Sequence, residues 1–150
     1  SNKNIPLTIL RISTVYGQRD RSDQIIPIFI RKALRNEPIN LYGNNSRDFI
    51  HISDVIEAIM SAIKLNQNNL FNTGTGNFFS NHFILKKIIE ITKSQSKILR
   101  LEKTGGYDFV CDNSKAAAKL GVNPKISIES GLADEILWHK EEIQKLTNGA

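Results

Sequence analysis

The sequence predicts an α/β protein in which a few short strands alternate with amphipathic helices. Three observations carry this. Apolar residues at helical spacing recur in separated blocks, among them Ile26-Phe29-Ile30-Ala33-Leu34 and Val55-Ala58-Ile59-Ala62-Ile63. Short apolar or β-branched runs at residues 7–12, 39–42 and 70–73 stand between these blocks. Turn-forming clusters, Gly43-Asn44-Asn45-Ser46 and Gly74-Thr75-Gly76-Asn77, separate the two kinds of segment. Strand and helix in alternation define α/β. The strands are few and short for a complete doubly wound sheet.

Residues 7–12 read as a strand whose imperfect alternation suits coverage on both faces. Val15-Tyr16-Gly17-Gln18 leads into a polar loop at residues 19–24. Residues 25–35 read as a helix capped by Asp23, with Pro27 tolerated in the first turn and Glu37-Pro38 ending it. Residues 39–42 and 48–52 are short strands. Ser53 caps the next helix, and Asp54 suits the positive end of its dipole. A strand at 70–73 is followed by a helix capped by Ser80, whose stripe is Ile84, Leu85, Ile88 and Ile89. Residues 97–101 form a further strand and 107–111 an extended segment. Asp112 caps a short helix ending at Leu120, with Gly121 at the left-handed position beyond it. Ser127 caps the last helix, whose stripe is Leu132, Ile136, His139 or Trp138, Ile143 and Leu146. No internal repeat or low-complexity segment is present.

Composition narrows the function classes. The chain has 150 residues, the size of one ordinary domain. Apolar residues make up 40% and charged residues 23%, which excludes collagen-like and strongly disordered classes. The single cysteine, Cys111, cannot form an internal disulfide framework. No run approaches a bilayer-spanning length, and the first residues lack the apolar stretch of a signal peptide, so a cytoplasmic protein with no membrane partner is expected. The net charge of +5 is spread along the chain and carries no nucleic-acid-binding module, so no nucleic-acid partner is expected. His51, His82 and His139 lack the spacing of a metal site.

Six segments in order resemble the extended short-chain dehydrogenase/reductases, the NAD-dependent epimerase/dehydratase enzymes of nucleotide sugars. They are Leu10-Arg11-Ile12-Ser13-Thr14-Val15-Tyr16-Gly17; Ile26-Pro27 with Phe29-Ile30; Tyr42-Gly43 with Arg47-Asp48-Phe49-Ile50-His51 and the helix start Asp54-Val55; Phe71-Asn72-Thr73-Gly74-Thr75-Gly76; Asp112-Asn113-Ser114-Lys115-Ala116 with Leu120-Gly121; and the tail from Ile128 to Trp138. The family's glycine-rich cofactor turn and its Tyr-x-x-x-Lys pair have no match. Gly74-Thr75-Gly76 lacks a third glycine, and the positions four after Tyr16, Tyr42 and Tyr107 hold Asp20, Ser46 and Cys111. The resemblance therefore implies the C-terminal part of a Rossmann-type enzyme. The expected fold is the last sheet strand or strands beside a small mixed substrate-binding domain. Residues 1–150 would form that portion, with the N-terminal cofactor-binding half absent.

The resemblance also implies site residues. Arg47 would bind the pyrophosphate of a nucleotide sugar, a role suited to a guanidinium fork. The competing reading is a structural arginine paired with Asp48. Lys103 stands where relatives carry a second phosphate-binding arginine, with Arg100 as the competitor. Thr14 stands where many relatives have a substrate-contacting asparagine. Tyr42 and Leu41 would line the nucleobase pocket. No catalytic, cofactor-binding or metal-binding residue is expected. His51 reads as packed, Cys111 as a buried inert thiol, and Asp112 as a cap.

Two readings of function remain. One is the nucleotide-sugar-binding portion of an epimerase or dehydratase, inactive alone; the other is a non-catalytic nucleotide-binding or assembly module. NAD or NADP would serve the parent enzyme, with neither binding tightly to this chain. The expected partners are a nucleoside diphosphate-sugar and the missing cofactor-binding half or a separate subunit. The strand at 7–12 should expose apolar surface, which a homodimer would cover.

Overall fold

The computed structural model describes residues 5–43, 45–102 and 107–148. In chain order the elements are β1 (Thr8–Ile12), β2 (Thr14–Tyr16), α1 (Ile25–Leu34), β3 (Ile39–Tyr42), β4 (Ser46–Arg47), β5 (Phe49–His51), α2 (Ile52–Leu65), β6 (Asn69–Thr73), β7 (Phe79–Ser80), α3 (Asn81–Thr92), β8 (Ile98–Leu101), α4 (Ser114–Leu120) and α5 (Ile128–Asn148).

The strands pair two by two among the described residues. β1 with β6, β2 with β5 and β3 with β8 are parallel, and β4 with β7 is antiparallel. Parallel partners need a crossover connection, and helices supply it here. The chain runs from β2 to β5 through α1, from β1 to β6 through α1 and α2, and from β3 to β8 through α2 and α3. This corrects the expected fold. Parallel pairing with helical crossovers runs from β1 to β8, and among the described residues antiparallel pairing is confined to two residues each of β4 and β7. The Rossmann-type pattern is thus not a last strand set beside a small mixed domain.

The core lies between α1, α3, α5 and the strands that face them. Ile26, Phe29, Ile30, Ile84, Leu85, Ile88, Leu132 and Ile136 are buried there with Tyr16, Ile39, Leu41 and Phe49. The apolar stripes read for α1 and α3 are the faces that pack, whereas Ile59 and Ile63 of α2 and Leu146 of α5 stay exposed. β1 also leaves apolar side chains uncovered, as expected of it: Ile9 and Ile12 stay exposed, as does the preceding Leu7.

Helix ends follow local chemistry. Ser80 accepts a hydrogen bond from the Phe83 N–H at 3.1 Å, and Ser127 accepts one from the Ser130 N–H at 3.1 Å. Gly121 adopts φ +65 after α4, as a left-handed cap requires. Three expected caps differ. Asp23 instead grips Arg21 through two contacts of 3.1 and 2.7 Å, and Gln24 precedes α1 without a side-chain cap. His51, not Ser53, caps α2: its Nδ1 accepts from the Ser53 N–H at 3.3 Å. Asn113 precedes α4, while Asp112 accepts from the Ser114 N–H at 3.0 Å.

Candidate functional site

The carboxyl ends of parallel strands are where open α/β sheets gather ligands. At this end of β1 the chain turns directly into β2 through Ser13. There Ile12, Ser13 and Thr14 line a cleft of about 240 Å³ with Arg47, Tyr107 and Phe109. Thr14 and Arg47, both singled out from the sequence, thus face one space although they lie on different strands.

Arg47 is placed by its backbone on both sides. It pairs with Phe79 across β4–β7 and forms a bridge with Phe109 in the extended segment. The Phe109 N–H donates to the Ser46 carbonyl at 3.1 Å, and the Asp48 N–H donates to the Phe109 carbonyl at 2.9 Å. The guanidinium lies over the Tyr107 ring, 4.7 Å from its centroid, a cation–π arrangement. One Nη donates to the Ser46 carbonyl at 3.3 Å. No acidic side chain among the described residues forms an ion pair with Arg47, so its remaining donors are available to an anion in the cleft.

Asp48 is not the partner of Arg47. Its fully buried carboxylate accepts four hydrogen bonds. Oδ1 takes the Thr75 N–H at 2.8 Å and the Thr75 hydroxyl at 2.6 Å. Oδ2 takes the Gly76 N–H at 3.0 Å and the Cys111 N–H at 3.2 Å. Gly74 is required beside it, because a Cβ there would lie 2.6 Å from the Cys111 Cβ and 2.9 Å from the Ser13 hydroxyl. Sequence reasoning missed this clamp. It also missed Tyr107 and Phe109, for which a signal existed: an extended segment puts residues 107, 109 and 111 on one face.

The other expected site residues sit elsewhere. Leu41 is buried in the core, and Tyr42 is half exposed on β3 with its hydroxyl 3.4 Å from the Asn40 amide nitrogen. Neither lines the Arg47 cleft. Arg100 faces Leu41 across β3–β8 and contacts His82 Nε2 at 3.1 Å. Lys103 lies outside the described residues. Cys111 is buried, and that burial, with Asp48 and Asp112 nearby, pushes its thiol pKa up. His51 is buried against the Tyr16 ring, and its burial lowers its pKa. Among the described residues no group of three or more His, Cys, Asp or Glu could hold a metal ion. No helix among them is long and apolar enough to cross a membrane.

Parallel strand pairs joined by helices, with Arg47 in a cleft at a strand's carboxyl end, define a Rossmann-type α/β fold. The profile of the NAD dependent epimerase/dehydratase family matches residues 1–75, and the chain belongs to that family. It is 31% identical over 148 residues to a UDP-glucuronate 4-epimerase of Thermodesulfobacterium geofontis, covering 93% of this chain and 45% of that protein. It is 30% identical to a UDP-N-acetyl-alpha-D-glucosaminuronate decarboxylase of Bacillus cytotoxicus, covering 93% and 48%. Among solved structures it resembles the UDP-glucose 4-epimerase of Thermotoga maritima with UDP-glucose, with TM-score 0.86, 29% identity and coverage of 91% and 46%. The UDP-glucuronic acid 4-epimerase of Bacillus cereus with UDP-glucuronic acid and NAD gives TM-score 0.85, 29% identity and coverage of 94% and 47%. The chain spans about half the length of the curated relatives it matches.

These likenesses correct four expectations drawn from the sequence. The family match begins at residue 1, and the structural likeness runs over more than nine-tenths of the chain. The chain is therefore described as a Rossmann-type epimerase/dehydratase domain, not as a substrate-binding C-terminal half. For the same reason the readings as an inactive binding portion or a non-catalytic module do not stand, nor does a partner supplying a missing cofactor half. The expectation that no cofactor binds tightly is also overturned, because solved relatives of comparable coverage are NAD complexes. The 74–76 turn is nonetheless unsuited to a dinucleotide. The N–H groups of Thr75 and Gly76 that would cradle a pyrophosphate already donate to Asp48.

Proposed function

We propose that this chain acts on nucleoside diphosphate sugars in an NAD-dependent epimerase or dehydratase reaction, and that its Arg47 cleft receives the diphosphate. The observation that supports this best is a guanidinium with no acidic partner among the described residues, held by backbone on both sides, in the cleft at the carboxyl end of β1. A guanidinium fork suits phosphate oxygens, and the Tyr107 ring keeps it from collapsing onto the surface.

In this reading Arg47 binds the diphosphate and Thr14 offers a hydroxyl that can donate to, or accept from, the sugar. Tyr42 flanks the nucleobase, with Leu41 packed behind it in the core. Binding energy from the nucleotide orients the sugar, which is the part that reacts. NAD, when bound, supplies reversible hydride transfer. The cytoplasm, where sugar nucleotides and dinucleotides are soluble metabolites, is the proposed compartment.

Titration calorimetry with UDP-glucose and UDP-glucuronate tests the reading, with NADH fluorescence for the dinucleotide. Saturable binding of a sugar nucleotide, weakened about tenfold or more by Arg47→Gln, is expected for a charge-assisted phosphate contact. Absence of binding by either sugar nucleotide, or equal binding by the Arg47→Gln variant, overturns it.

A further inference from the structure

We infer that Asp48 is the positioning residue of the Arg47 anion contact; this deepens the reading above and rests on it. Three separate segments meet at its carboxylate. One is its own strand junction, between Arg47 in β4 and Phe49 in β5. The second is the 74–76 turn, held through Thr75 and Gly76. The third is the extended segment, held at the Cys111 N–H.

The third link matters most for function. The same segment carries Tyr107, over which the Arg47 guanidinium rests, and Phe109, whose backbone bridges that of Arg47. Between Ser46 and Cys111 the segment has little ladder support: Phe109 makes an isolated bridge, and Asp108 accepts the Ser46 N–H at 2.7 Å. A fully buried carboxylate taking two backbone N–H groups from one turn and a third from this segment locks their separation. Both the arginine and the aromatic surface beneath it are thereby held at one geometry. Thr14 is tied to the same point, because its N–H donates to the Asp48 carbonyl at 3.0 Å. Asp48 is not itself one of the residues that line the cleft, so it acts through the lining residues it holds, Thr14, Arg47 and Phe109.

The charge is needed as well as the shape. An asparagine at this position would present an amide N–H₂ where the native oxygen accepts N–H groups, so at least one of the four bonds becomes a donor–donor clash. The effect should fall on the phosphate contact and spare ligand groups that Arg47 does not touch.

The experiment compares UDP with uridine, by NMR titration, on the 150-residue chain and its variants. In the native chain UDP should bind at least about tenfold more tightly than uridine, and Arg47→Gln should abolish most of that ratio. Asp48→Asn should reduce the ratio to nearly that of Arg47→Gln while uridine affinity stays within about twofold, and the double variant should be no weaker than Arg47→Gln alone. A merely structural role would weaken both ligands in proportion. A folded Asp48→Asn chain that keeps the native ratio overturns the inference. Should that variant not fold, Thr75→Val, which removes one donor to Asp48, should cut the ratio about threefold, and an unchanged ratio overturns the inference. A native chain that does not distinguish UDP from uridine defeats the Arg47 reading itself and this inference with it. A native ratio lost in Arg47→Gln but kept in Asp48→Asn defeats the Asp48 inference alone.

Discussion

Replacing Glu135 with glutamine should flatten the stability of this protein against pH above neutrality. Glu135 lies on α5 and is fully buried, and neither carboxyl oxygen has a hydrogen-bond partner that satisfies normal geometry. Burial pushes its pKa up to about 8, with Asp20 adding to the rise and the Gly17 N–H opposing it. The sign follows from proton linkage. A carboxyl whose folded pKa lies above its unfolded value of about 4.5 binds more protons in the native state between those limits. Its contribution is favourable at low pH and is lost as pH rises from about 4.5 to about 8. The slope approaches about 1.4 kcal/mol per pH unit within the window. His139, 3.9 Å away and lowered by burial and Arg31, has the opposite sense and acts only below its ordinary value near 6.5. Between about pH 6.5 and about pH 8 Glu135 therefore acts without it, and the native chain should lose about 2 kcal/mol. Urea unfolding at half-unit pH steps measures this. Glu135→Gln removes the proton but leaves a buried amide, so its absolute stability is no test; its slope is. A native chain with flat stability across that range, or a glutamine variant as steep as the native chain, refutes the reasoning.

Other perturbations test the packing. Asp54 in α2 accepts the N–H groups of Lys125 at 2.9 Å and Ile126 at 3.2 Å, so Asp54→Ala should cost about 2–3 kcal/mol in urea unfolding at pH 7, and a cost under about 0.5 counts against the anchor. A methyl at Gly131 would lie 2.8 Å from the Tyr16 ring, which is buried, so Gly131→Ala should destabilise by about 1–3 kcal/mol, partly relieved by Tyr16→Phe; an unaffected single variant contradicts that packing. Cys111, buried and raised in pKa, should react with a thiol-specific disulfide reagent far more slowly in the native chain than in urea, and equal rates would show the thiol to be accessible.

What could be read from the sequence was whatever depends on near neighbours. The stripes of α1 and α3, the buried Val55, Ala58 and Ala62 of α2, the caps Ser80 and Ser127, and the left-handed Gly121 follow from periodicity and short-range hydrogen bonding, whereas Ile59 and Ile63 of the α2 stripe are exposed. β7 escaped notice because two residues carry no alternation; only their pairing with Ser46 and Arg47 makes them a strand. His51 displaced Ser53 as the cap because β5 runs into α2 without a loop, leaving the strand's last side chain beside the first helical N–H groups. At the site, the motif around Arg47 was visible but the acceptor role of Asp48 was not, since its donors lie 27, 28 and 63 residues away. The apolar surface of Leu7, Ile9 and Ile12 was legible because a strand with one paired neighbour leaves its far side uncovered.

The buried carboxylates explain how so little sheet supports a defined cleft. Two-stranded pairs are marginal by themselves, and the 74–76 turn, residues 107–111 and residues 125–126 lie outside the named strands. Asp48 and Asp54 each stand where a strand or helix begins and capture backbone N–H groups from these irregular segments. Each thereby satisfies donors that a sheet would otherwise take, and the donors in turn compensate a charge that burial alone would make costly. Glu135 is equally buried, its oxygens lack hydrogen-bond partners of normal geometry among the described residues, and burial raises its pKa. It lines no part of the Arg47 cleft. Removing its carboxyl should therefore alter stability without altering ligand preference, whereas removing the Asp48 carboxylate should move a wall of the site.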